Sequence, residues 1–129
     1  RTPMANQYKG EIKGKLGDKE RTFRLTFESI VNIESRTGRS IMDITHDLAL
    51  TKYSMKDLVI VLHEGLTGAG GKFVQGAVGE MVIQTGLMET AKLASELLTT
   101  IFTGTNKKED DSPLVEGENE QKDTQSSNT

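Results

Sequence analysis

The run Thr22-Phe23-Arg24-Leu25-Thr26-Phe27-Glu28-Ser29-Ile30-Val31-Asn32-Ile33-Glu34 changes its period half-way along. Phe23, Leu25 and Phe27 alternate with Thr22, Arg24 and Thr26, the two-residue repeat of a strand with one buried face. From Phe27 onward the spacing is helical. Phe27, Ile30, Val31 and Glu34 fall on one side, and Ile33 widens the apolar face. Thr26 is the expected N-cap, Glu28 suits the positive end of the helix, and Arg36 suits its last turn. Gly38 is the natural stop. A strand that passes into a helix with almost no linker points to an α+β fold.

Upstream, Tyr8, Ile12, Gly14 and Leu16 lie on one side of a looser alternation, and Gly17-Asp18 can turn the chain. The two strands form a hairpin, which is marginal alone and must lay its apolar face on helices. Downstream, Ser40-Ile41-Met42-Asp43 and Ser54-Met55-Lys56-Asp57 each have the grammar of a capping box, with the shorter Asp in place of Glu or Gln. The helix opened by Ser40 carries Ile41, Ile44 and Leu48. The one opened by Ser54 carries Leu58, Val59, Ile60, Val61 and Leu62, apolar on nearly every side, which places it at the centre of a core or in an interface.

Gly65, Gly68, Gly70 and Gly71 are expected to end that helix in a mobile connection. A glycine-weakened helix should then run from Phe73 or Val74 toward Gln84. A last one should span Met88–Phe102, with Leu87, Ala91, Ala94, Leu98 and Phe102 as its stripe and Leu97 and Ile101 beside it. The expected architecture is therefore an N-terminal β-hairpin packed on a small bundle of four or five short helices.

The 129 residues allow one small domain. Residues 105–129 hold three lysines against seven carboxylates, a net charge of −4, with Leu114 and Val115 as the strongly apolar residues. So little buryable surface cannot offset ordering entropy, so a disordered acidic tail is expected there. Residues 1–5 are expected to be a disordered N-terminus in which Met4 fits a natural start behind an appended scar, leaving 6–104 as the folded domain. Charge is graded along the chain: residues 1–39 carry nine basic and five acidic side chains, residues 40–104 four and seven.

Several chemistries are excluded by supply. The chain has no cysteine, hence no disulfide framework, thiolate nucleophile or cysteine metal site, and the usage fits a reducing compartment. No run approaches the roughly 20 apolar residues of a membrane helix. Gly71-Lys72 is followed by Phe73 where a phosphate-binding loop needs a hydroxyl, and its first glycine position is Leu66. His63-Glu64 opens like a zinc-protease helix, but Thr67 stands where the second histidine belongs. His46 has Asp43 and Asp47 near it without a third ligand at a recognised spacing. No catalytic, cofactor or metal residue is assigned. Glu64 and Glu34 are expected to reach solvent or a local donor, with Arg21 or Arg24 as an ion-pair partner for Glu34. The basic row Lys9, Lys13, Lys15, Lys19, Arg21 and Arg24 reads as the wet side of the hairpin more readily than as a nucleic-acid surface.

Gly10-Glu11-Ile12, Leu16-Gly17-Asp18-Lys19 and Thr22-Phe23-Arg24-Leu25-Thr26-Phe27 lead to Ile33-Glu34 and Thr37-Gly38-Arg39-Ser40. Together with Lys56-Asp57-Leu58 and Glu64-Gly65-Leu66, this pattern resembles a small tail-assembly family of gene transfer agents and siphophage-like prophages of alphaproteobacteria. The resemblance spans about residues 6–98. It implies a non-catalytic tail assembly chaperone, cytoplasmic or particle-associated, that binds the tape measure or tube subunit by protein–protein contacts. It carries no catalytic residue. The alternatives are a structural subunit retained in the particle, able to form a homo-oligomer, and a small DNA-binding regulator. Phe27, Ile30, Leu58, Leu62, Leu98 and Phe102 are the candidate partner-binding residues, shared with the core.

Overall fold

A computed structural model describes residues 10–103. The order is β1 (Ile12–Leu16), β2 (Lys19–Phe23), α1 (Phe27–Thr37), α2 (Ile41–Ala49), α3 (Met55–Gly68), α4 (Gln75–Thr85) and α5 (Leu87–Thr103). The expected hairpin on a helical bundle is what forms. The expected termini, residues 1–5 and 105–129, lie outside the described residues.

β1 and β2 pair antiparallel with Leu16 opposite Lys19, Gly14 opposite Arg21 and Ile12 opposite Phe23. Gly17, at φ 79°, supplies the left-handed first corner that a two-residue turn of this kind requires. Its amide donates to the Thr85 hydroxyl at 2.7 Å, which fixes the turn to the end of α4. Leu16 and Phe23 are fully buried on the inner face, whereas Lys13 and Lys15 stand on the outer one.

The second strand ends at Phe23, earlier than its alternation suggests. Arg24–Thr26 instead form a connector whose first amide donates to the Gly65 carbonyl at 2.9 Å, so the backbone needs no strand partner there. Thr26 then caps α1 reciprocally: its hydroxyl accepts from the Ser29 amide, and its own amide donates to the Ser29 hydroxyl, each at 3.0 Å. Gly38, left-handed at φ 73°, ends the helix as expected. Ser40 and Ser54 accept from the amides of Asp43 and Asp57, so both starts are also as expected.

α3 is the central element. It packs against β2, α1, α4 and α5, and nine of its residues are buried. The helix continues through Gly65 and Gly68, contrary to the expected interruption, because both are contact points. A Cβ on Gly65 would lie 2.5 Å from Leu97 Cδ2, and one on Gly68 would lie 2.1 Å from the Arg24 carbonyl oxygen. After α3 the chain closes with backbone bonds from Gly70 to Thr67 and from Gly71 to Leu66, at 2.9 and 2.8 Å.

Two helical faces are rotated from their expected positions. α1 buries Ser29 and Ile33, while Phe27 is 80% exposed, because the small Ser29 can settle beside the bare Gly68 backbone. α5 buries Thr90, Leu93, Ala94, Leu97 and Leu98, leaving Leu87 and Phe102 half in solvent at its ends. Leu93 is drawn inward because Gly14 of β1 leaves space for it; a Cβ there would meet Leu93 Cδ1 at 2.4 Å.

Candidate functional site

The two buried carboxylates are occupied in holding helices together. Asp57 and Glu64, seven residues apart, lie on the same flank of α3. Arg36, in the last turn of α1, donates to Glu64 at 2.7 Å, and Arg39 donates to Asp57 at 2.7 Å and also to Asp47. Hydrogen bonding to Asp47, then to Asp57, holds the Arg39 guanidinium above its ordinary value. Glu64 is thus buried against a cation, where solvent or a local donor was expected. Glu34 has a different partner from the expected Arg21 or Arg24. Its carboxylate accepts from the Ile41 amide at 2.8 Å, at the start of α2.

His63 sits in the same network. Its Nε2 faces the Phe73 carbonyl at 2.7 Å and therefore donates, whereas Nδ1 faces the Arg36 guanidinium at 3.0 Å and therefore accepts. Those contacts assign the neutral tautomer with the proton on Nε2. Arg21 lies 5.3 Å above the centre of the Phe73 ring. Of the two arginines expected to pair with Glu34, Arg21 thus stacks on Phe73, and Arg24 contributes its backbone amide to the Gly65 carbonyl. Among the described residues no group of three or more His, Asp or Glu side chains is placed to hold a metal.

The candidate residues separate into three sets. Leu58, Leu62 and Leu98 are core; Ile30 is half-buried; Phe27 and Phe102 are on the surface, at the start of α1 and the end of α5. Other exposed apolar side chains were not singled out from the sequence: Met42, Leu50, Val74, Ile83 and Met88. Ile83 borders a shallow groove of about 490 Å³ between α3 and α4, with Met55 and Val59 on the α3 side and Gly76 and Gly79 along α4. The signal for this groove was present in the α4 glycines, which remove side chains from one helical face. A second, polar groove of about 640 Å³ follows the outer edge of β1 and faces α5.

Residues 9–104 match the family described as phage tail tube protein, GTA-gp10. The chain belongs to this family. No match was found among the curated proteins or among the solved structures. The match begins just before the hairpin and ends one residue after α5, so the GTA-gp10 family region coincides with the packed unit of hairpin and five helices. Membership in this family gives the chain a general tail-associated role.

Proposed function

We propose that the chain is a non-catalytic tail assembly protein that covers surfaces of a tail component, the tape measure or a tube subunit. Membership in the GTA-gp10 tail family over residues 9–104 carries this reading. The exposed apolar side chains support it. Phe27, Val74, Ile83 and Met88 are each at least 66% exposed, surface that a folded monomer of this size does not use internally. The α3–α4 groove offers an apolar helix or loop of the partner a seat beside Ile83. The work is done in the cytoplasm, where tail parts are made, and no bond is made or broken.

Co-expression with the tail proteins of the same gene cluster, followed by affinity capture and size-exclusion chromatography, tests this. A complex at micromolar concentration is expected, weakened at least about tenfold by Ile83→Asp or Phe27→Asp, the loss of one well-placed apolar contact. Capture of no tail protein would sink the reading. The family description as a tube protein favours a second one, in which the chain stays in the finished particle. Mass spectrometry of purified particles separates them, since an assembly chaperone leaves and a subunit remains.

A further inference from the structure

The sheet has only two strands, so β1 has an outer edge. The register decides which groups lie on it. Leu16 and Lys19 flank the two-residue turn and exchange hydrogen bonds, as do Gly14 with Arg21 and Ile12 with Phe23. Lys13 and Lys15 therefore turn their amides and carbonyls away from β2. Among the described residues those four groups have no backbone partner. Beside them runs the polar groove of about 640 Å³, floored by α5 at Glu89, Lys92, Leu93 and Glu96. Gly14 brings that floor close, since Leu93 fills the space where its Cβ would lie. A hydrogen-bonding edge on one side and a helix beneath are the surroundings of one more strand.

Charge decides what kind of strand fits. Strand side chains alternate between faces, so the neighbours of Lys13 and Lys15 lie on the outer face of the sheet. Both lysines are exposed there, with Thr22 and Glu20 opposite them on β2. Neither ammonium group forms an ion pair among the described residues. Carboxylates are therefore the favoured neighbours on the open side. A second copy is a poor occupant. Laid antiparallel across Gly14, its Lys15 would stand directly opposite Lys13, and like charges so placed repel. The other parity of an added strand faces α5, where Glu89, Lys92 and Glu96 share one flank. Small uncharged side chains suit that side, because a further carboxylate would meet two glutamates.

We propose that the outer edge of β1 binds an extended segment of a partner protein as an antiparallel third strand, in which carboxylates alternate with small uncharged residues. The partner's backbone pairs with Lys13 and Lys15, and its carboxylates meet their ammonium groups. Lysine on an edge ordinarily discourages strand pairing. Here the same two lysines reject a copy of themselves and select an acidic strand. This inference does not depend on the tail-component reading, because the edge and its charges are the same whichever protein supplies the segment.

A capped peptide of alternating glutamate and threonine, about eight residues long, added to the full-length chain tests it by NMR-detected amide exchange. At millimolar peptide the Lys13 and Lys15 amides should exchange about tenfold more slowly than without it. The Leu16 amide, already bonded within the hairpin, is the internal reference. In the antiparallel register the residues opposite Lys13 and Lys15 are the ones that bond them, and those are the glutamates. N-methylation of the peptide's glutamate amides should therefore abolish the slowing, whereas N-methylation of its threonine amides should preserve it. In the double variant Lys13→Glu with Lys15→Glu, the preference should pass to a peptide of alternating lysine and threonine. Unchanged exchange at Lys13 and Lys15, or the same slowing with both N-methylated peptides, would overturn the proposal.

Discussion

The Arg36 guanidinium donates to the Glu64 carboxylate at 2.7 Å, joining the end of α1 to the middle of α3. The glutamate is nearly buried while the arginine keeps about a quarter of its side chain in solvent, so the two deletions are not equivalent. Removing the cation leaves a carboxylate in the core with only Asn32 beside it, at 3.4 Å. Arg36→Met should therefore cost about 3 kcal/mol in urea unfolding. The pair Arg36→Met with Glu64→Leu should recover most of that, because no charge is then stranded. A double variant as unstable as the single one would show that the pair holds the helices in register by a route other than charge compensation.

Arg39 makes a comparable clamp with a different pH signature. Its folded value is raised by Asp47 and Asp57, so its contribution is whole below the ordinary arginine value and declines only as pH rises through the higher folded one. Between neutral and moderately alkaline pH, the stability gap between the unaltered chain and Arg39→Gln should stay constant. A gap that closes across that range in pH-dependent unfolding would mean that Arg39 is not held by these carboxylates.

Much of this architecture was legible in the residues. Thr26, Ser40, Ser54 and Gly38 mark helix ends by local chemistry, which needs no knowledge of neighbours, and each acts where the sequence places it. The unbroken apolar run Leu58–Leu62 made α3 central because no face of it suits water. What periodicity did not reveal was which stripe of α1 or α5 turns inward. That choice was made by glycines on other elements, Gly68 for Ser29 and Gly14 for Leu93. For the same reason Glu64 reads as a surface acid until Arg36 is brought across from another helix. The candidate surface was only half legible, since Phe27 and Leu58 look alike in sequence and differ only after packing.

Phe23 and Phe27 are four residues apart and have opposite fates, one sealed under the hairpin and one 80% exposed. Phe23→Ala should cost about 3–5 kcal/mol and unfold much of the population at moderate temperature. Phe27→Ser should change the unfolding free energy by no more than about 0.5 kcal/mol, because it is a surface substitution beyond the cap. Thermal unfolding of both gives the comparison. A large loss for Phe27→Ser would move that ring into the core and withdraw it from the proposed contact surface.

Gly68 and Gly79 separate close approach from mere helix weakness. At Gly68 the obstacle is the Arg24 carbonyl, which is backbone and carries the connector between β2 and α1. Gly68→Ala should lose at least about 2 kcal/mol, since the strain outweighs the gain of up to about 1 kcal/mol that alanine brings to a helix. At Gly79 the nearest atom to an added Cβ is Val59 Cγ2 at 4.0 Å, so nothing opposes the methyl. Gly79→Ala should therefore stabilise the fold by about 0.5–1 kcal/mol. The same methyl narrows the groove beside Ile83. A chain that is more stable yet captures its tail partner less well would assign the groove to binding, whereas unchanged capture would direct the search toward Phe27 and Met88.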